Sequence, residues 1–126
     1  IGRGQMEILT QRIQRRQEIF ELYKNKLPML EFMPELPQSC GNRWLSTALL
    51  PSHLSPYTLV DILESQNIES RPLWKPMHMQ PLFSSSYAIG GQVSEFLFER
   101  GICLPSGSSM NDNDVERVCS LIKANL

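Results

Sequence analysis

Between Arg71 and Pro81 the chain reads Arg-Pro-Leu-Trp-Lys-Pro-Met-His-Met-Gln-Pro. Arg71 can grip a phosphate through a planar fork, Lys75 can meet one as a point charge, and Trp74 offers a flat face to a ring. His78 can exchange a proton near neutral pH, or it can simply satisfy loop carbonyls. Gln80 adds an amide. Pro72, Pro76 and Pro81 each fix φ, remove a donor and push the preceding residue towards extended geometry. Neither a regular helix nor a central strand fits such a segment. It reads as a stiff, irregular arm that a scaffold holds out to contact a ligand.

The remaining residues exclude more than they offer. No glycine-rich phosphate loop, metal-spaced cluster or nucleophile elbow occurs. Cys40, Cys103 and Cys119 form no close pair, so neither a disulfide framework nor a zinc site is indicated, and buried, reduced thiols of a cytoplasmic protein are expected. A formal charge of -1 argues against a nucleic-acid partner. No apolar run approaches the ~20 residues of a membrane span, and no secretory segment is visible. At 126 residues, 41% of them apolar and 20% charged, the chain suits one soluble domain with a sizeable core. Its first residue is Ile1, and no capping side chain precedes the first helical pattern, as expected of a domain cut from a longer protein.

Several elements must carry the arm. Met6, Leu9, Ile13, Phe20, Tyr23 and Leu27 recur at helical spacing, which predicts one long helix from about Gly4 to Lys26, stopped by Pro28. Such a helix would run roughly 35 Å, too long for so small a domain to bury, and is expected to connect to and pack on something else. Arg12, Arg15 and Arg16 make a basic cluster on it, either a solvated face or an anion contact. Arg43 to Leu50 is the best central strand, with Trp44 packed on its face or serving as a ligand platform. Ser55-Pro56 starts a helix through about Gln66, and Asn67 to Ser70 leads through a short strand into the arm. Past the serine- and glycine-rich stretch from Leu82 to Gln92, Val93 to Arg100 reads as a helix with Val93, Phe96 and Leu97 inward. Gly101 then stands where a left-handed terminal residue is wanted. Ile102 to Leu104 is a strand, Ser106 and Ser108 belong to a turn, and Asn111 caps a last helix with Val115, Val118, Cys119 and Ile122 inside. The sum is α+β: a long N-terminal helix over 1–27, then a small, mostly antiparallel sheet of three or four short strands over 28–126, with helices on one side.

Three blocks resemble one family in its own order. Ile68 to His78 (Ile-Glu-Ser-Arg-Pro-Leu-Trp-Lys-Pro-Met-His) is similar to a C-terminal block of the DegT-type sugar-nucleotide aminotransferases, pyridoxal-phosphate enzymes of fold type I. Ile1 to Leu27, with Gly-x-x-Gln-Met-Glu-x-Leu and then Arg-Arg before Leu-Tyr, resembles their long helix. Leu97 to Ser108 resembles their closing strand and turn. The resemblance implies the small C-terminal domain of such an enzyme, about its last third, with the large cofactor-binding domain absent from this chain. It implies that Arg71, Trp74, Lys75, His78 and Gln80 bind a nucleotide-linked sugar that receives an amino group, typically from glutamate, for surface-glycan amino sugars. It implies a homodimer in the parent enzyme. The family's cofactor lysine lies upstream, and nothing around Lys24, Lys26, Lys75 or Lys123 resembles its surroundings, so no catalytic or cofactor-binding residue, and no activity, is expected of this chain alone. Two other classes compete: a non-catalytic binding or sensory module derived from such an enzyme, and an interaction domain that docks a partner through its long helix.

Overall fold

The structure, a computed structural model, describes residues 2–126. The predicted N-terminal helix forms with one interruption: α1 is Gly2–Glu7, Ile8 leaves helical geometry, and α2 is Leu9–Lys26. Its apolar stripe is buried only in the second half. Ile19, Phe20, Tyr23 and Leu27 are inside, whereas Met6 is 67% exposed. Leu27 leaves helical geometry because Pro28 disfavours it there, and the Leu27 N–H still donates to the Tyr23 carbonyl.

Four short strands make one antiparallel sheet in the order β1 (Glu31–Phe32), β2 (Ser46–Leu49), β4 (Gly101–Leu104), β3 (Arg71–Pro72). The expected central strand is central but shorter than Arg43 to Leu50, because Arg43 takes a left-handed φ of 45° that an extended strand cannot contain. Alternation sorts the faces. Ala48, Ile102 and Leu104 point into the core, while Thr47, Leu49, Gly101 and Cys103 point away from it. Three helices cover the core face: α2, α3 (Pro56–Glu64) and α5 (Asp112–Lys123). Leu59, Leu63, Val115, Val118, Cys119 and Ile122 join Ile19 and Tyr23 there in one cluster.

Local chemistry explains the element ends. The Ser55 hydroxyl accepts from the Tyr57 N–H with Pro56 in the first turn of α3. Asn111 and Asp114 complete a reciprocal capping box on α5. The buried Ser106 hydroxyl accepts from the Ser46 N–H at 2.7 Å and donates to the Leu104 carbonyl at 2.8 Å, as a turn serine should. Arg100 donates through Nε to the Leu50 carbonyl at 2.8 Å, closing the end of β2 beyond its last ladder bond.

Other expectations need correcting. Helix α4 (Gln92–Arg100) forms but buries nothing: Val93 is 73% exposed, and Phe96 and Leu97 are also exposed. Three other helices already fill the core face, leaving α4 the opposite one. Gly101 is extended, with φ −90°, not left-handed. Its missing Cβ makes room instead, since a Cβ there would lie 2.0 Å from Leu73 Cδ1 and 2.4 Å from the Leu97 carbonyl oxygen. Cys103 and Cys119 are buried, but Cys40 is exposed in the loop after Pro37. In the basic cluster Arg12 stays exposed, and Arg15 makes its anion contact within the chain, to Asp112. Arg12 donates to Ser108 Oγ at 3.0 Å, and Arg15 holds the Met110 carbonyl at 2.9 Å and Asp112 at 2.7 Å, fastening α2 to the turn before α5.

Candidate functional site

The arm is built as an edge that turns into a loop. Arg71 and Pro72 pair with Cys103 and Ile102 as the outermost strand, where a proline costs no inner ladder bond. The strand expected ahead of the arm is thus its first two residues. Asn67, at φ 57°, turns the chain out of α3 towards it. Register places Arg71 beside Cys103 on the face without core helices. Beyond Pro72 the Leu73 N–H still donates to the Gly101 carbonyl, and the arm then folds into two 3-10 turns, Met77–Met79 and Pro81–Phe83.

On that open face the structure brings Arg71, Trp74 and Lys75 to one hollow of about 640 Å³, shared with Trp44, Tyr57, Glu69, Phe98 and Cys103. An adjoining apolar groove of about 300 Å³ runs between Phe32, Met33, Leu73 and Leu97 and shares both tryptophans. The two indoles stack, ring centroids 6.2 Å apart and planes 21° from parallel, yet Trp44 is 60% and Trp74 66% exposed. Paired aromatic faces standing in solvent beside cations suit a flat, anionic ligand. Trp44 is the residue that sequence reasoning left undecided. Its role depends on a neighbour thirty residues on, and no local pattern carries that.

Electrostatics at this edge are loosely held. Arg71 forks onto Glu69 Oε1, with Nη2 at 2.6 Å and Nε at 3.1 Å, and both side chains are 77% exposed. An ion pair that open is worth roughly 0–1 kcal/mol, so an incoming anion can replace it cheaply. Arg71 also borders a second hollow of about 480 Å³ with Ser70, Asp114 and Arg117. Burial raises the Cys103 thiol, partly opposed by Arg71 beside it.

His78 and Gln80 sit apart from that hollow. His78 Nε2 lies 2.8 Å from Glu95 Oε1 across the start of α4. Gln80 turns back on the arm and donates to the Lys75 carbonyl at 3.3 Å.

Pyridoxal phosphate, the cofactor the family resemblance implies, needs a shielded primary amine and an anion cradle. The lysines here do not offer one: Lys24 and Lys75 are exposed, Lys123 lies on the solvent side of α5, and Lys26 is tied to Glu116. Among the described residues no cluster of His, Cys, Asp or Glu could hold a metal ion, and no helix is long and apolar enough to cross a membrane.

A four-stranded antiparallel sheet with three helices on its core face and α4 on the other recurs as part of aminotransferase structures. The structure of the aminotransferase TlmJ from Streptoalloteichus hindustanus superposes with a TM-score of 0.86 at 22% identity, over 98% of this chain and 34% of that one, a likeness of fold. Residues 1–123 match the DegT/DnrJ/EryC1/StrS aminotransferase family, and the chain belongs to it. The Bacillus subtilis (strain 168) protein EpsN, which carries the name of a pyridoxal phosphate-dependent aminotransferase, is 47% identical over 129 residues, 97% of this chain and 33% of its own length. The GDP-perosamine synthase of Vibrio cholerae is 29% identical over 128 residues, 98% of this chain and 35% of its own. The chain thus spans about a third of the length of these curated relatives.

Proposed function

We propose that this chain is the small C-terminal domain of a pyridoxal-phosphate-dependent enzyme that moves an amino group, typically from glutamate, onto a keto-sugar carried by a nucleotide, for amino sugars of surface glycans. In this reading 1–27 connects to a large domain that holds the cofactor, and 28–126 forms the wall over which the substrate enters. The parent enzyme is a cytoplasmic homodimer, and this chain alone is inactive. The names of EpsN and GDP-perosamine synthase support the class of reaction.

One observation carries the reading: Arg71, Trp74 and Lys75 converge on an open hollow floored by the stacked Trp44 and Trp74. Indoles suit a nucleobase or sugar face, and Arg71 and Lys75 suit a diphosphate. His78 and Gln80 stand further along the same arm, outside that hollow. These residues bind and orient, and they exclude water from a reacting centre that lies in other polypeptide.

The test is Arg71→Ala in the complete enzyme. Binding of GDP-mannose or UDP-N-acetylglucosamine, used as probes, should weaken about tenfold while the cofactor absorbance stays at full occupancy. Unchanged binding removes Arg71 from the site. The exposed Met6 and Leu9 favour a second reading, docking through the helix. There, changes at Met6 and Leu9, not at Arg71, would abolish association with the partner.

A further inference from the structure

We propose that Glu95 and Gly91 position His78, fixing its ring and its tautomer so that Nδ1 is the atom presented to the ligand; this rests on the reading of the arm as a substrate wall. His78 lies in the 3-10 turn Met77–Met79, braced by the buried Pro76. Its Nε2 meets Glu95 Oε1 at 2.8 Å. An ionised carboxylate only accepts, so Nε2 is the nitrogen that carries a proton against Glu95, and in the neutral ring the lone pair falls on Nδ1. Among the described residues Nδ1 has no hydrogen-bond partner, and the His78 side chain is 26% exposed.

The backbone that carries Glu95 is set by the start of α4, and its side chain is 42% exposed. Glu95 sits in the first turn of α4, where its N–H donates to the Gly91 carbonyl at 2.9 Å and where the helix end favours a negative charge. Gly91 has a φ of 115°, open to glycine. A Cβ on it would stand 2.9 Å from His78 Cε1, 3.0 Å from Nε2 and 3.2 Å from Glu95 Oε1. The imidazole and its carboxylate therefore lie directly over Gly91, where an added side chain would be strained at this φ and would push both groups aside. Helix α4 contributes nothing to the core, yet it fixes the one proton-exchanging group on the arm. The pairing also explains why His78 stands away from the hollow at Trp74: its ring is directed by α4, not by the sheet.

Imidazole nitrogen-15 spectra of histidine-labelled complete enzyme should show His78 as the Nε2–H tautomer, and a Nδ1–H tautomer overturns the proposal. Binding of GDP-mannose or UDP-N-acetylglucosamine should weaken about tenfold in His78→Ala and nearly as much in Glu95→Ala. Glu95→Gln should recover most of that loss, since the amide oxygen can accept the same bond. Gly91→Ala should repeat the loss with Glu95 still present, and a circular-dichroism spectrum unchanged in the helical region excludes a lost helix as the cause. If Glu95→Ala binds normally while His78→Ala does not, the positioning role is wrong. If His78→Ala itself binds normally although the tautomer is as expected, the pairing stands and the reading of His78 as a substrate residue falls.

Discussion

The indole of Trp44 lies over that of Trp74 at 6.2 Å between centroids, joining the residue just ahead of β2 to one just beyond β3. β4 lies between those strands, so the pair bridges across it on the open face. The chain has two tryptophans, both in this pair. The exciton couplet of coupled indoles in ultraviolet circular dichroism should therefore vanish completely in either Trp44→Ala or Trp74→Ala. A couplet that survives either change would mean that the stack does not exist in solution.

Glu69 competes with any incoming anion for the guanidinium fork of Arg71. Removing the competitor should help binding, because the pair is exposed and contributes little to folding. In the complete enzyme Glu69→Gln should tighten GDP-mannose or UDP-N-acetylglucosamine binding by about two- to fivefold, with the thermal midpoint unchanged. Weaker binding would show that Glu69 contacts the ligand itself.

Gly101 is required by space, not by backbone angle. Gly101→Ala drives a methyl group into Leu73 and the Leu97 carbonyl, and should cost about 2–3 kcal/mol in denaturant unfolding of the 126-residue chain. Leu73→Ala in the same chain should return only part of this, since the carbonyl remains in the way. Full recovery would place the whole conflict on Leu73.

Arg43 is buried beneath the loop that precedes β2. It lies 4.0 Å from the centre of the Phe20 ring and 2.8 Å from Glu35 Oε2, and Glu35 also accepts from the Gly41 N–H. That N–H foremost, then Arg43, holds the Glu35 carboxyl below its ordinary value of 4.5, and Lys26 does the same for Glu116. A lowered folded value means that each carboxylate stabilises the fold fully above 4.5 and loses that contribution as the pH falls through the depressed value. The thermal midpoint should fall with acid below that point, and less steeply in Glu35→Gln. An identical pH profile in that variant would show that Glu35 has no part in acid unfolding. Arg43→Ala should lower the midpoint at neutral pH by about 5 °C.

Three thiols in three settings should label in order. Cys40 is exposed, Cys103 is raised by burial, and burial foremost pushes Cys119 up to about 11. A neutral alkylating agent at pH 8 should modify Cys40 of the 126-residue chain at once, Cys103, which borders the hollow, slowly, and Cys119 only with unfolding. Rapid labelling of Cys119 would contradict the packing of α5.

What could be read from residue order alone was whatever neighbours decide. The Ser55-Pro56 start of α3, the Asn111 cap of α5 with its buried Val115, Val118, Cys119 and Ile122, and the stop at Pro28 all follow from side chains within a turn of one another. The α+β class followed from those periods, and the arm's extended, edge-like character from its prolines. Tertiary packing decided the rest. Whether the apolar stripe of α4 faces inward depends on which helices already occupy the core face, and three others do. Whether Gly101 serves a turn or a close approach depends on Leu73 across the sheet. Trp44 joins the site, and His78 leaves the hollow for Glu95, through partners thirty and seventeen residues distant, where helical or strand period carries no information.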